Sequence, residues 1–110
     1  MTNDLLSHFQ SVGSDLYSRG MVSVHGGNLS IRDQDSVVIT RSGSRLGYLS
    51  ESDLIRTGLE KDDENTRFAS SELQVHRAIY KKGLFKAVVH SHPVYATALS
   101  FVRHIIHTED

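Results

Sequence analysis

The sequence predicts an α/β fold, a layered sheet with helices packed on it. Three observations carry this. An apolar stripe at helical spacing opens the chain, two short strand-like runs flank a turn, and a second helical stripe leads into the apolar run Ala87-Val88-Val89. Helices alternating with strands and a hairpin build layers of this kind. The 110 residues fit one domain over residues 1–110. A chain of this size buries roughly 65% of its unfolded surface, enough for one modest core.

Leu5, Leu6, Phe9, Val12, Leu16 and Tyr17 form one stripe, which predicts a helix over about residues 3–18. Arg19-Gly20 is its stop. From Gly26 the period changes: Leu29 and Ile31 alternate with Ser30 and Arg32, as in a strand. Asp33-Gln34-Asp35-Ser36 is a turn, and Val37-Val38-Ile39-Thr40 completes the hairpin. Residues 41–47 read as a Ser- and Gly-rich loop. Ser50 and Asp53 have the spacing of a capping box over a short helical turn. Leu54 to Leu59 reads as a short strand, and the charged stretch 61–67 as a solvated turn.

Ser70-Ser71-Glu72 opens a second helix carrying Leu73, His76, Ile79 and Tyr80, with Gly83 at its end. The continuous run Ala87-Val88-Val89 predicts a buried strand. It leads into His90-Ser91-His92-Pro93, where proline stops the strand and can open a helix over about residues 94–103.

Composition removes several function classes. The net charge of −1 leaves no electrostatic footprint for nucleic acid or an anionic membrane, and aromatic residues make up only 7%. No stretch approaches the ~20 apolar residues of a membrane helix. The N-terminus lacks the basic and apolar regions of a signal peptide. With no cysteine, disulfides and thiolate zinc sites are excluded, and a cytoplasmic location is expected.

Seven histidines is a high count for this length. In a strand, His90 and His92 share a face roughly 6.5–7 Å apart. Two imidazoles so placed can converge on one zinc ion at Zn–N distances of about 2.0–2.1 Å. They can equally be two polar residues at a strand end. Glu72 at a helix start is favoured by the helix dipole, so a capping acid is the plain reading. A glutamate can also ligate zinc or move a proton beside it. His76, one turn on from Glu72, reads as a packed residue or one that supports a ligand from behind, rather than as a ligand. His25 reads as solvent-facing or structural; His104 and His107, i and i+3, could complete a three-histidine site, but helix-end residues are the favoured reading.

Three segments have the chemistry of an anion site. Gly26-Gly27-Asn28 offers permissive backbone and an amide. Ser42-Gly43-Ser44 offers hydroxyls and N–H groups, and Ser70-Ser71 lies at a helix N-terminus. Each alone is an ordinary turn or cap; together they could hold a phosphate without a lysine.

Between about Leu5 and Val102 the chain resembles the class II aldolase/adducin family. The resemblance rests on Gly26-Gly27-Asn28-Leu29-Ser30, Ile39-Thr40-Arg41-Ser42-Gly43, Ser70-Ser71-Glu72 and Ala87-Val88-Val89-His90-Ser91-His92-Pro93, matched in order and spacing. It implies a three-layer α/β/α sandwich around a mixed, mostly antiparallel sheet. It implies substrate-phosphate contacts by Gly27, Asn28, Ser42, Gly43, Ser70 and Ser71. It implies zinc, one ion per subunit, held by His90 and His92. Glu72 is the implied catalytic proton carrier, able to approach the zinc when substrate is absent. Arg41 stands where many members have proline.

The implied activity is zinc-dependent aldol cleavage of a phosphorylated ketose such as L-fuculose 1-phosphate, through a metal-stabilised enediolate. Epimerases, dehydratases and decarboxylases share this half of the site. The resemblance also implies a homo-oligomer, usually a tetramer. Family members continue beyond the position of Asp110, where their third zinc histidine lies, so the chain reads as an apparently truncated relative. A non-catalytic, adducin-like assembly module is the alternative.

Overall fold

A computed structural model describes residues 3–91 of the chain. His92, Pro93, the helix expected over residues 94–103, His104 and His107 lie outside the described residues.

The first helix, α1, runs Asn3–Ser18, as the apolar stripe predicts. It closes in a Schellman motif. Met21 N–H donates to Leu16 O at 2.8 Å and Gly20 N–H to Tyr17 O at 3.1 Å, with Gly20 at φ 69°. The hydrophobic contact that accompanies this motif is supplied by Leu16 and Met21, both buried in one cluster.

β1 (Asn28–Asp33) and β2 (Ser36–Thr40) form the expected hairpin, with Asp33 opposite Ser36. β3 (Leu54–Gly58) pairs with β2. The second helix, α2 (Leu73–Lys82), then carries the chain to β4 (Ala87–His90), which lies on the other side of β1. The strand order is β3-β2-β1-β4, and every described pairing is antiparallel.

Side chains alternate across a strand, so each strand feeds two faces. Leu29, Val38 and Leu54 meet Phe9, Leu16, Met21, Val22, Leu46 and Leu49 on the α1 side. Val37, Ile39, Ile55 and Val88 meet Ala69, Leu73 and Tyr80 on the α2 side. A helix therefore covers each face of the sheet, giving the three-layer α/β/α sandwich. Val37, Val38 and Ile39 are fully buried because β2 is covered on both faces. Among the described residues, no helix is long and apolar enough to cross a membrane.

Several local expectations are corrected. Ala87-Val88-Val89 is not wholly buried: Val88 faces the α2 core, whereas Ala87 and Val89 are exposed. The α1-side cluster draws on β1, β2 and β3 and does not extend to β4. The loop over 41–47 ends inside a 3₁₀ turn, Leu46–Tyr48, whose Leu46 is fully buried beneath α1.

The charged stretch 61–67 is a bonded turn. Thr57 donates to Asp63 at 2.7 Å, which holds the Asp63 carboxyl below its ordinary pKa. Arg77, buried on α2, donates to Gly58 O, Lys61 O and the Asp62 carboxylate. Finally, Glu72 is the N-cap of α2, but its side chain makes no capping hydrogen bond. Ser50 and Asp53 do form the capping box, with Ser50 N–H donating to the Asp53 carboxylate at 2.9 Å.

Candidate functional site

Three separated segments converge at one end of the sheet. Arg41, just past β2, bridges to Ala69, just before α2. Ser42 N–H donates to Phe68 O at 3.0 Å and Ser70 N–H to Thr40 O at 2.9 Å. This stitching brings the 42–44 loop against the N-terminus of α2. The start of β1 joins them, because Leu29 N–H donates to Thr40 Oγ1 at 3.2 Å.

The result is a cleft of ≈ 190 Å³ lined by His25, Gly27, Asn28, Arg41, Ser42, Gly43, Ser70, Ser71 and Glu72. It contains all six residues of the expected phosphate set and the expected proton carrier. Gly27 has no room for a side chain. Its φ is 84°, and a Cβ there would lie 2.7 Å from Val22 Cγ1 and 3.1 Å from His90 O.

The hydrogen bonds define what each group has left to offer. The N–H groups of Ser42, Ser44 and Ser70 are spent within the fold, correcting the expectation that the 42–44 loop presents its N–H groups broadly. Ser70 Oγ accepts from Glu72 N–H at 3.2 Å, which leaves its O–H free to donate elsewhere. Ser42 and Ser71 are exposed on the cleft wall. The α2 N-terminus adds positive dipole.

Two further residues complete the wall. His25 donates from Nδ1 to Gly43 O at 2.8 Å and so pins the loop. Arg41 donates from Nε to Ser52 O at 3.0 Å and lies 5.1 Å above the Phe68 ring, adding a cation to the wall.

Behind the cleft is a buried polar network. His76, fully buried, bonds Asn28 Oδ1 through Nε2 and Ser30 Oγ through Nδ1, the latter at 2.6 Å. Ser30 Oγ also bonds Tyr80 OH at 2.7 Å. Burial, with the neighbouring His90 as a smaller cause, pushes the His76 pKa down to about 4. Burial likewise raises that of Tyr80. Sequence reading placed His76 correctly as packed but missed Ser30 and Tyr80. The available signal was Glu72, His76 and Tyr80 at successive i+4 positions on one helix face.

His90 ends β4 directly opposite Asn28, its ring 6.5 Å from that of His76. It is not among the residues lining the cleft. Among the described residues, no group of three His, Asp or Glu is placed to hold a metal ion. Of the implied zinc donors, His90 and Glu72 lie among the described residues and His92 lies outside them. Both His76 nitrogens are engaged.

Comparison with known proteins agrees with this geometry. The profile of the Class II Aldolase and Adducin N-terminal domain matches residues 7–109. An L-fuculose phosphate aldolase of Methanococcus maripaludis is 38% identical over 96 residues, covering 86% of this chain and 52% of that protein. A 3-oxo-tetronate 4-phosphate decarboxylase of Haemophilus influenzae is 41% identical over 91 residues, covering 81% of this chain and 43% of that protein. The crystal structure of L-fuculose-1-phosphate aldolase from Thermus thermophilus superposes with a TM-score of 0.80 at 39% identity, covering 92% of this chain and 52% of that one. The chain thus spans about half the length of these relatives. With its fold and nearly its whole length matched, the chain belongs to the class II aldolase and adducin family.

Proposed function

We propose that the chain, as one domain over residues 1–110, carries the substrate-phosphate half of a lyase acting on a phosphorylated sugar. The specific reaction is zinc-dependent aldol cleavage of a ketose 1-phosphate such as L-fuculose 1-phosphate. One observation carries this reading. Gly27, Asn28, Ser42, Gly43, Ser70, Ser71 and Glu72 line a single cleft at the N-terminus of α2.

Such a wall suits a phosphate: an amide, three hydroxyls and the dipole of a helix start, with the Arg41 cation beside them. The aldolase and decarboxylase relatives break different bonds, yet both names specify a phosphorylated substrate. A shared phosphate site is the simplest common element. In this reading, Asn28, Ser42, Ser70 and Ser71 donate to the phosphate. Gly27 and Gly43 let the backbone approach. Holding the phosphate orients the reacting carbons. Glu72 moves the proton on the same wall.

His90 and His92 would hold the zinc, with Glu72 within reach in the substrate-free state; no third histidine ligand is assigned. Zinc supplies a Lewis acid for charge developing on substrate oxygens. A cytoplasmic homo-oligomer, a tetramer by family resemblance, completes the proposal, with no nucleic-acid or membrane partner.

The test is bound zinc per chain after purification without chelator, beside a His90→Ala, His92→Ala double variant, followed by an assay of L-fuculose 1-phosphate cleavage. Near-stoichiometric zinc lost in the variant, with cleavage by the parent, supports the proposal. A folded parent that holds no zinc and cleaves nothing sinks it. That outcome favours the second reading, a non-catalytic adducin-like module.

A further inference from the structure

We infer that His76 is a positioning residue that sets the orientation of the Asn28 amide, turning its nitrogen toward the cleft. This rests on the reading of Asn28 as a phosphate donor. An asparagine amide is ambiguous: rotated one way it presents N–H donors to an anion, and rotated the other way it presents a repelling oxygen. Asn28 is 6% exposed and is one of the residues lining the cleft, so its amide lies between the buried network and the cleft. Its inward end is Oδ1, which meets His76 Nε2. Two acceptors cannot share a hydrogen bond, so Nε2 must carry the proton. Asn28 is left with Nδ2 for the cleft.

The groups behind His76 accommodate a proton on Nε2. His76 Nδ1 meets Ser30 Oγ at 2.6 Å, and Ser30 Oγ meets Tyr80 OH at 2.7 Å. With the proton on Nε2, the neutral ring accepts at Nδ1, so Ser30 donates there and accepts from the Tyr80 hydroxyl. The donors run in one direction: Tyr80 to Ser30, Ser30 to His76, His76 to Asn28. The neutral ring is left with its hydrogen on Nε2. A protonated ring would also present Nε2–H, so the amide orientation does not depend on the charge of His76. The chain links the β1 start to α2 across the sheet interior. It gives a buried histidine and a buried serine a task that packing alone does not require.

Two measurements on the 110-residue chain test this. The first is the His76 tautomer, read from ring nitrogen shifts by NMR. Protonation at Nε2 is expected; an Nδ1–H tautomer overturns the inference. The second is binding of inorganic phosphate by the parent, Asn28→Ala, His76→Leu, His76→Gln and the Asn28→Ala, His76→Leu double variant.

Asn28→Ala is expected to weaken phosphate about tenfold, as for one hydrogen bond to a charged group. His76→Leu should weaken it comparably. The double variant should be no weaker than Asn28→Ala, because both changes remove the same donor. Glutamine can supply an N–H in place of Nε2, so His76→Gln should recover most of the affinity. His76→Leu binding like the parent, while Asn28→Ala is weakened, overturns the role of His76 and leaves that of Asn28. Unchanged binding by Asn28→Ala, or no phosphate bound by the parent, overturns the phosphate reading instead. If His76→Leu does not fold, a folded His76→Gln with weakened phosphate binding overturns the inference.

Discussion

Asn28 and His90 are direct partners across the β1–β4 ladder. One belongs to the cleft and the other to the strand end that carries the histidine motif. A shared backbone register therefore ties the two halves of the proposed site together. The adjacent Gly27 packs so closely that a Cβ would stand 3.1 Å from His90 O. Disturbing one half should be felt in the other.

Glycine substitutions in the cleft should separate strain from crowding. Gly27 and Gly43 have φ of 84° and 76°, but only Gly27 has atoms within 4 Å of a built Cβ. Gly43→Ala should cost about 1 kcal/mol, the left-handed penalty alone. Gly27→Ala should cost about 3 kcal/mol, because overpacking adds to it. Urea midpoints measure both, and equal losses would contradict the packing described.

Ser30→Ala should destabilise the fold by about 1–3 kcal/mol, since it strips partners from both His76 and Tyr80 in a dry interior. Tyr80→Phe, which removes one donor, should cost less. Differential scanning calorimetry gives the order, and a neutral Ser30→Ala would mean the network contributes nothing.

Acid should destabilise the protein through His76. Its folded pKa of about 4 lies below the ordinary value of 6.5. As pH falls through 6.5, the unfolded chain binds a proton that the folded chain refuses, so stability drops until about pH 4. The full loss is about 3 kcal/mol. Unfolding free energy against pH should show this slope in the parent. It should flatten in His76→Gln; an unchanged slope would assign the effect to other groups.

Gly13 sits inside α1, where alanine ordinarily gains about 1 kcal/mol. Here a Cβ would stand 2.1 Å from Leu46 O, a backbone atom that cannot step aside. Gly13→Ala should therefore be destabilising on balance, by about 1–2 kcal/mol after the propensity gain. A stabilised variant in chemical denaturation would show that the Leu46–Tyr48 turn yields.

Local periodicity made α1, the β1–β2 hairpin, β3 and α2 legible, because each signal lies within a few residues of the structure it specifies. The Gly20 stop and the Ser50–Asp53 capping box are equally local. Arg77 was not legible: its carbonyl partners, Gly58 and Lys61, are 19 and 16 residues away. Nor was Ser30, whose partner His76 is 46 residues distant. In the sequence Ser30 is simply the polar alternate of Leu29 and Ile31, and a strand with one wet face would leave it in water. The first half of β1 instead has both faces covered, so Asn28 and Ser30 had to find partners.

The sequence by itself determined the elements, their order and the chemistry of the three anion-type segments. Tertiary structure decided that these segments form one wall. It also turned His76 inward to Asn28, and left Val89 exposed while Val88 is buried. The reason is that burial acts on whole faces. Covering both sides of the sheet sets the order β3-β2-β1-β4, and the Arg41–Ala69 bridge then brings residues 42 and 70 to the same end as residue 28. No spacing along the chain encodes that meeting, because it arises from two apolar faces being covered at once.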